Sequence, residues 1–279
     1  MVPEQAGLFG DAPEPTLLDF DWILINSSAG KDSQTLLRDV VRRCDEGGVK
    51  RSLLVVVHCD LGRVEWRGTP ELARRQAADY GLRFEIVKRT QNDLLDHVAA
   101  RGKWPDNKNR YCTSDHKRGP ARTLMTKLAD EWHVYRHPRS VRGRPCRILN
   151  CMGMRAEESP ARSKLQPFEL DHCNGRREVW TWLPIHRWTL KQVWADIHAS
   201  GVPYHPAYDL GMPRLSCCFC IFAPKAALVL AGKHNPKLLA QYVQVEREIN
   251  HHFRVDVSLE AIQQAVRAGE SGAVTDWRM

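Results

Sequence analysis

Short, continuous apolar runs alternate along the chain with longer stretches in which apolar residues recur every three or four positions. The run SLLVVVHC at 52–59 is typical of a parallel strand that is covered on both faces. By the same criterion we predict strands at 22–26, 52–59, 82–89, 146–154 and 179–183. Strands that alternate with helices predict an α/β fold, a doubly wound and mostly parallel sheet with helices on both faces.

The helices are predicted from apolar spacing and from signals at their ends. Apolar residues from Leu36 to Cys44 mark one helix face, and Gly47 ends that helix. Further helices are predicted at 69–80, 92–101, 114–132 (with a bend or restart at Gly119-Pro120) and 189–200. The chain after Cys220 is predicted to be mainly helical. We therefore divide the sequence into a loose arm at 1–19, an α/β domain at 20–225 and a helical extension at 226–279.

Composition narrows the range of partners and locations. The net charge of +8, from 41 basic and 33 acidic residues, favours a polyanionic partner such as a nucleotide or a nucleic acid, although a merely basic surface gives the same count. No apolar run approaches the roughly 18 residues of a membrane span, and the acidic N-terminus lacks the features of a secretory signal. We expect a cytoplasmic protein without membrane contact. Its nine cysteines should be mostly reduced and serve metal binding or thiol chemistry.

The polar segment SSAGKDS at 27–33 separates the first strand from the first helix. Small residues and Gly30 let backbone N–H groups approach an anion, and the N-terminus of the helix adds its positive end. Lys31 contributes a full charge, and Ser28 and Ser33 contribute hydroxyl groups. The segment is not a Walker A motif, because an aspartate, Asp32, follows the lysine and the Gly-x4-Gly-Lys-Ser/Thr pattern is absent. We interpret it as a phosphate-binding loop; the alternative is a tight turn with a solvent-exposed lysine.

This loop resembles the PP-loop of the adenine nucleotide alpha-hydrolase-like superfamily, which includes ATP pyrophosphatases and the phosphoadenosine phosphosulfate (PAPS) reductase family. Four further segments resemble motifs of that family in the same order, over about residues 20–225. They are HCDLG at 58–62, NRYCTSDHKRGP at 109–120, GMRAEESPAR at 153–162, and a Pro-Ile-x-x-Trp-Thr segment ending in Tyr-x-Pro-x-Tyr at 183–208. The segment at 109–120 looks like a stretch of members linked to DNA phosphorothioation. Leu61 departs from the family's Asp-Thr-Gly-like turn.

The resemblance implies a role for individual residues. The nucleotide phosphates would be held by Ser28, Gly30, Lys31, Asp32 and Ser33. Asp60, in one turn with Gly62, would lie beside the nucleotide or a Mg²⁺ ion bound with ATP. Arg155 would meet a phosphate or sulfate group, since its planar guanidinium suits such anions; the alternative is a surface ion pair with Glu157 or Glu158. The opening of this phosphate site, called the mouth below, would be lined by Glu158, Ser159 and Arg162. Lys31, Asp60 and Arg155 form the predicted catalytic set.

A cluster of cysteines indicates a metal centre. Cys217 and Cys220 have the C-x-x-C spacing with which two thiolates bind one metal centre. Together with Cys112, which the resemblance brings near the nucleotide face, they would suit a [4Fe-4S] cluster. Cys218 is the nearest candidate for the fourth ligand. If Cys218 points elsewhere, the fourth position is left to an open iron or to Cys146, Cys151 or Cys173.

Other uses of these cysteines stay open. A zinc site could be completed by His116 or His205, and Cys217 with Cys220 could form a redox disulfide. Inert positions in the core are expected for Cys44, Cys59, Cys146 and Cys151.

Two segments carry features of nucleic-acid binding. The segment 135–147 is rich in arginine and turn residues and is predicted to be an exposed basic loop. The segment 101–112 adds Lys103, Lys108 and Arg110, with Trp104 and Tyr111 available for stacking on bases. A solvated loop beside a pocket for one small, charged nucleotide explains the same residues equally well.

Two reactions fit these motifs. In the first, which we favour, the protein cleaves ATP to AMP and pyrophosphate, adenylates a substrate oxygen, and sulfur from a donor protein replaces that oxygen. In the second, it reduces PAPS or adenylyl sulfate to sulfite with electrons from a donor protein. The family performs that reduction with a cysteine of a C-terminal tail, and no cysteine follows Cys220 in this sequence. A third class is a non-catalytic module that binds a nucleotide or DNA.

Overall fold

The computed structural model describes residues 14–136, 144–274 and 277. Its strands are β1 Trp22–Asn26, β2 Leu54–Asp60, β3 Arg83–Lys88, β4 Cys146–Cys151, β5 Phe168–Cys173 and β6 Arg177–Trp182. They form one sheet in the order β3-β2-β1-β4-β6-β5. Neighbouring strands are parallel except for β5 and β6, which are antiparallel. The predicted mostly parallel α/β sheet is confirmed.

The helices of the described residues lie between the strands and after the last one. They are α1 Lys31–Glu46, α2 Thr69–Asp79, α3 Leu94–Arg101, α4 Tyr111–Thr113, α5 Gly119–Glu131, α6 Pro160–Ser163, α7 Leu190–Ser200, α8 Lys225–His234, α9 Pro236–Glu248 and α10 Leu259–Arg267. Within the part of the chain that the structure describes, no helix is long and apolar enough to cross a membrane.

Strand β5 was not predicted, and its sequence explains why. Its residues, FELDHC, are mostly exposed, and β5 is one of the two edge strands of the sheet. The main apolar anchor is Phe168, whose ring stacks on Trp180 of β6 at 4.8 Å. A polar edge strand with one anchoring residue lacks the apolar run by which the other strands were identified.

The helix predicted at 114–132 is interrupted near the residue that was expected to disturb it. Residues Ser114–Arg118 form a π-helical turn, and α5 begins at Gly119. Pro120 has no backbone N–H and therefore cannot donate the α-helical hydrogen bond to the carbonyl four residues earlier. Such π-helical turns are frequent at functional sites, and this one follows directly on Cys112 and Thr113.

Two apolar cores cover the two faces of the sheet. Ile23 and Ile25 of β1 pack in one cluster with residues of α1, whereas Trp22 and Leu24 pack in the other with residues of α5. This alternation follows from the two-residue period of a strand. The central strands β1, β2 and β4 are mostly buried on both faces, and polar groups that serve chemistry are therefore expected at the ends of these strands.

A third core joins the C-terminal helices to the loops of the sheet. Residues of α8, α9 and α10 share it with Leu61, Val64 and Trp66 from the loop after β2, and with Cys218 and Phe219. The helices after Cys220 were predicted, whereas the division of the chain at residue 225 stays a prediction. Most of the predicted basic loop and most of the predicted N-terminal arm lie outside the described residues.

Candidate functional site

The phosphate loop, residues 27–33, connects the carboxyl end of β1 to α1. Its turn depends on Ala29, which is fully buried and has a φ of +55°, a backbone conformation that is uncommon for residues other than glycine. The hydroxyl of Ser33 donates to the carbonyl of Gly30 at 2.8 Å and accepts the N–H of Ser28 at 3.1 Å. These short-range hydrogen bonds fix the shape of the loop from within.

Lys31 is the first residue of α1, and its side chain is buried, with 3% of its surface exposed. Its Nζ donates to Oδ2 of Asp32 at 2.9 Å and lies 5.9 Å from the centroid of the Tyr208 ring. Its backbone N–H donates to the hydroxyl of Tyr208 at 2.8 Å. The alternative of a solvent-exposed lysine on a tight turn is therefore wrong.

Asp32 joins the phosphate loop to Arg155. Its Oδ1 accepts from Nε of Arg155 at 2.6 Å. Burial alone would raise the pKa of Asp32, but the charges of Lys31 and Arg155 outweigh burial and hold this pKa below its usual value. Arg155 also pairs with Glu157 at 2.6 Å, as the alternative for this residue suggested. Arg155 is buried, however, with 3% of its surface exposed. Its ion pair with Glu157 is therefore not a surface pair, and its guanidinium group lies beside the phosphate loop.

Glu158 gathers the remaining charged groups of the predicted mouth. It accepts the backbone N–H of Arg155 at 3.0 Å, pairs with Arg162, and accepts from Nη2 of Arg214 at 2.8 Å. Ser159 is the N-cap residue of α6, where its hydroxyl accepts the N–H of Arg162 at 3.3 Å. Ser159 and Arg162 thus lie together as predicted, whereas Arg214 was missed because it belongs to none of the segments singled out for phosphate binding.

These contacts connect the charged groups described above into one network near the N-terminus of α1. The connected group consists of Lys31, Arg155, Arg162 and Arg214 with Asp32, Glu157 and Glu158. Its cations outnumber its carboxylates, and the positive end of the helix dipole adds to them. A Cβ atom on Gly153 would lie 2.8 Å from the carbonyl oxygen of Asp32. This short distance explains why glycine stands where the segment after β4 approaches the start of α1. The arrangement suits an anion that carries several charges.

Asp60 and Gly62 form the turn at the end of β2. Oδ1 of Asp60 accepts the N–H of Gly62 at 2.8 Å. Gly62 has a φ of +76°, and a Cβ atom there would lie 2.6 Å from Cβ of Asp93. Asp60 is partly exposed. One of its oxygens is therefore committed to the turn, and the other has no hydrogen-bond partner among the described residues.

A buried pair, His58 and Glu65, was missed at the sequence level. Nδ1 of His58 lies 2.9 Å from the carbonyl of Ser27, and its Nε2 lies 3.3 Å from Oε2 of Glu65. Burial alone would lower the pKa of His58, but Glu65 outweighs burial and raises it. Because both ring nitrogens face acceptors, the imidazolium form satisfies them both. Glu65 also accepts the N–H of Leu61 at 3.3 Å, and the pair thereby ties the phosphate loop to the turn after β2.

The cysteine recess consists of Cys112, Cys217 and Cys220 with Lys117. All three cysteines are partly buried and pack against the same apolar core. The ammonium group of Lys117, from the π-helical turn, lies within electrostatic reach of each of them and of Cys59. The structure therefore brings the three predicted thiols into one region. Lys117 was missed, although it stands inside a motif that the sequence had indicated.

The recess suits a soft metal centre by its donors but does not form a closed site. In the described ranges, no three Cys, His, Asp or Glu side chains stand in an arrangement that could hold a metal ion. Burial raises the pKa of the Cys217 and Cys220 thiols, and metal binding would therefore have to release protons. Cys112, Cys217 and Cys220 are the residues that would hold a cluster. The identity of a fourth ligand stays a prediction.

The other candidate ligands lie in the apolar core, on the surface or beside other polar groups. Cys218 is buried in the apolar core, and its backbone N–H donates to Val64 at 2.8 Å. Nε2 of His116 lies 2.9 Å from Nδ1 of His97, and Nε2 of His205 lies 3.3 Å from the hydroxyl of Thr69. Cys44, Cys146 and Cys151 are core residues as expected, Cys173 is exposed on β5, and Cys217 and Cys220 carry free thiols. Cys59, which was expected in the core, is only partly buried, and its thiol donates to the carbonyl of Lys117 at 3.6 Å.

The prediction that two aromatic residues are available for stacking on bases is wrong. Trp104 is 3% exposed; its ring stacks on Tyr242 at 5.4 Å, and its Nε1 donates to His251 at 3.0 Å. Tyr111 is equally buried, and its hydroxyl donates to the carbonyl of Lys103 at 2.6 Å. Both side chains form the core beneath the C-terminal helices, where apolar burial decides their position.

Comparison with known proteins identifies related sequences. The phosphoadenosine phosphosulfate reductase domain matches residues 23–223. A protein of Escherichia phage 186, described as an uncharacterized 37.8 kDa protein, is 29% identical over 177 residues, which are 63% of this chain and 49% of that protein. The chain thus spans about half the length of that relative. An adenosine 5'-phosphosulfate reductase of Allochromatium vinosum is 25% identical over 202 residues, which are 72% of this chain and 69% of that protein.

Among solved structures, the phosphate complex of the PAPS reductase from Candida auris aligns with a TM-score of 0.48 and 20% identity. The alignment covers 72% of this chain and 83% of that one.

Proposed function

This chain belongs to the phosphoadenosine phosphosulfate reductase domain family, and from that premise we propose that it is an ATP-using enzyme of sulfur transfer. It cleaves ATP to AMP and pyrophosphate and thereby activates an oxygen of its substrate for replacement by sulfur. The observation that carries the proposal is the connected group of charges at the N-terminus of α1. In that group Lys31 and Arg155 share Asp32, and Arg162 and Arg214 share Glu158.

The proposed first step uses these groups where charge develops. A substrate oxygen bonds to the α-phosphorus of ATP while the bond between that phosphorus and the bridging oxygen breaks, and pyrophosphate leaves with the electron pair. Lys31 and the backbone N–H groups at the start of α1 would hold the leaving pyrophosphate, and Arg155 would orient the phosphate beside it. Mg²⁺, when bound, would neutralise phosphate charge, and the free oxygen of Asp60 suits it.

In the second step, the sulfur atom of a donor bonds to the substrate atom that carries the activated oxygen, the bond between that atom and the oxygen breaks, and the oxygen leaves as part of AMP. Cys112, Cys217 and Cys220 would hold a [4Fe-4S] cluster, which would supply electrons or carry sulfur. The three thiols lie in one recess with Lys117. Arg214, which pairs with Glu158 of the charged group, stands three positions before Cys217 in the chain. These residues support a site in which nucleotide and thiol chemistry are neighbours.

The acceptor that fits the surface charge is a polyanion such as a nucleic acid. Exposed Lys108 and Arg110 precede Cys112 in the chain, and exposed Arg118 follows it. These exposed cations would attract a nucleic-acid backbone without base stacking, and the affinity would fall steeply as the salt concentration rises.

Reduction of PAPS or adenylyl sulfate is the second candidate function. It is favoured by the family match and by the name of the relative from Allochromatium vinosum, an adenosine 5'-phosphosulfate reductase. The same charged group would then hold the phosphate and sulfate of the substrate, and a donor protein would supply electrons.

Two parallel incubations separate these functions. The anaerobic protein is mixed with Mg²⁺ and ATP, a sulfide donor and bulk nucleic acid, or with PAPS and a dithiol, and pyrophosphate, AMP and sulfite are measured. Pyrophosphate with an equal amount of AMP supports the first function. Sulfite from PAPS without ATP cleavage supports the reductase instead. Tight nucleotide binding without either product contradicts both enzymes and leaves a binding module.

A further inference from the structure

The hydroxyl of Tyr208 occupies a donor that the proposed function needs for phosphate. It accepts the backbone N–H of Lys31, the first residue of α1, at 2.8 Å. The backbone amide of Leu215 faces the same oxygen. An oxygen that meets an amide at the N-terminus of a helix stands where a phosphate oxygen binds in nucleotide sites. One hydrogen-bonding position is thus filled by a side chain of the protein itself.

The approach of this segment to the loop is close on every measure. A Cβ atom built on Gly30 would lie 3.3 Å from the hydroxyl of Tyr208 and 3.4 Å from Cβ of Leu215. Nζ of Lys31 lies 5.9 Å from the centroid of the tyrosine ring. Tyr208 therefore engages Lys31 at both its amide and its ammonium group. A phosphate oxygen cannot take the same place while the hydroxyl is there.

The tyrosine is held in this position by its own surroundings. It ends a short 3₁₀ helix, Pro206–Tyr208, whose start is fixed by the ring of His205 accepting the N–H of Ala207 at 3.1 Å. The ring of Trp194, on α7, packs edge-on against it with centroids 5.1 Å apart. The contact with the phosphate loop is thus part of a packed arrangement and not the chance position of a surface side chain.

We propose that Tyr208 is a placeholder in the phosphate site, which a bound nucleotide displaces from the amide of Lys31. The inference rests on the proposed use of the loop for nucleotide phosphates. Displacement of the hydroxyl also removes the oxygen that the backbone amide of Leu215 faces. Arg214 and Cys217 lie next to or near Leu215 in the chain, and nucleotide binding therefore reaches the cysteine recess through a connection of a few residues.

The test is the variant Tyr208→Phe, which keeps the ring and removes only the hydroxyl. We expect Mg²⁺–ATP and inorganic pyrophosphate to bind about 3- to 10-fold more tightly to this variant by titration calorimetry, because the ligand no longer has to break a neutral hydrogen bond. Tyr204→Phe is the matched control. Its hydroxyl donates to Asp209 at 2.8 Å within the same aromatic group but does not touch the loop, and its affinity should equal that of the wild type.

The outcomes separate this inference from the proposed function. Equal affinity of the wild type and Tyr208→Phe overturns the placeholder, and weaker binding by Tyr208→Phe overturns it in favour of a hydroxyl that contacts the phosphate directly. Failure of all three proteins to bind either ligand overturns the nucleotide function itself. Hydrogen exchange without ligand provides an independent check: the amides of residues 28–34 should exchange faster in Tyr208→Phe than in Tyr204→Phe, and unchanged exchange contradicts the contact.

Discussion

The phosphate loop and the cysteine recess are neighbours, yet they are assembled in different ways. The loop is one continuous segment with its own internal hydrogen bonds, such as those of Ser33 with Ser28 and Gly30, in addition to the contacts with His58 and Tyr208. The recess collects Cys112 and Lys117 from one segment and Cys217 and Cys220 from another, about a hundred residues later. The loop has its donors in place, whereas the thiols are near each other without forming a closed set of ligands.

The phosphate loop thus takes its shape largely from its own segment, whereas the cysteine recess forms only when distant parts of the chain pack together. The recess depends on the core under α8, α9 and α10, where Trp104 and Tyr111 are buried. The loop depends on the end of β1 and the start of α1. Changes to the loop should therefore affect nucleotide chemistry most directly, and changes to the recess should affect metal content first.

The largest effect is expected from Lys31→Ala. It removes a buried cation that contacts Asp32 at 2.9 Å, and ATP cleavage should fall by about 100-fold or more, as for the loss of a transition-state donor. Asp32 keeps its partner Arg155, and the fold should therefore survive, which circular dichroism can check. Lys50→Ala, an exposed residue beyond the opposite end of α1, is the control and should retain full activity. Full activity of Lys31→Ala would contradict the role given to the loop.

Single serine substitutions of Cys112, Cys217 and Cys220 should come next in size. Each is expected to lower the iron and sulfide content of anaerobically reconstituted protein several-fold, together with its visible absorption, because each removes one thiolate ligand. Cys173→Ser, on the exposed edge strand β5, should leave iron and colour unchanged. Unchanged iron in all three variants would exclude these ligands, and a colourless wild-type protein that contains zinc would exclude the cluster.

The parts of the molecule that could be predicted from the sequence are those formed by contiguous residues. The buried parallel strands and the phosphate loop were of this kind, since a strand covered on both faces needs an apolar run and the loop needs small residues before a helix. Strand β5 was missed because its sequence is polar. Tyr208 and Arg214 could not be assigned to their places, because their partners Lys31 and Glu158 are far away in the chain. The aromatic residues Trp104 and Tyr111 were misjudged for the same reason.

The close approach of the loop to its neighbour can be tested at Gly153. In Gly153→Ala the new Cβ would lie 2.8 Å from the carbonyl oxygen and 3.0 Å from the carbonyl carbon of Asp32, and the backbone has to shift. We expect a loss of about 1–3 kcal/mol of unfolding free energy, measured with urea, and weaker nucleotide binding. Gly175→Ala, where the new atom meets nothing within 4 Å, is the matched control. Equal stability of the two variants would show that the loop and its neighbour have room to adjust.

The smallest effects are expected from two pairs of side chains that border the two regions, His97 with His116 and His58 with Glu65. Their contributions to stability should depend on pH with opposite signs. His97 and His116 lie beside the recess. Burial lowers both pKa values, that of His116 to about 4, with further lowering by Arg89 and a partial counter-effect of Asp115. The unfolded chain takes up protons near pH 6.5 while the folded chain does not, and stability is therefore lost as the pH falls from about 6.5 toward 4.

His58 borders the phosphate loop, and Glu65 raises its pKa, with a smaller contribution from Asp60. Its contribution to stability is fully present below pH 6.5 and is lost as the pH rises through the raised value. Unfolding midpoints between pH 5 and pH 9 test both pairs. His116→Gln should flatten the acid side only, Glu65→Gln the alkaline side only, and the exposed His172→Gln neither. Each kcal/mol corresponds to about 2–4 °C in Tm. If Glu65→Gln leaves the alkaline loss unchanged, the charged pair that ties the loop to the turn after β2 is wrong.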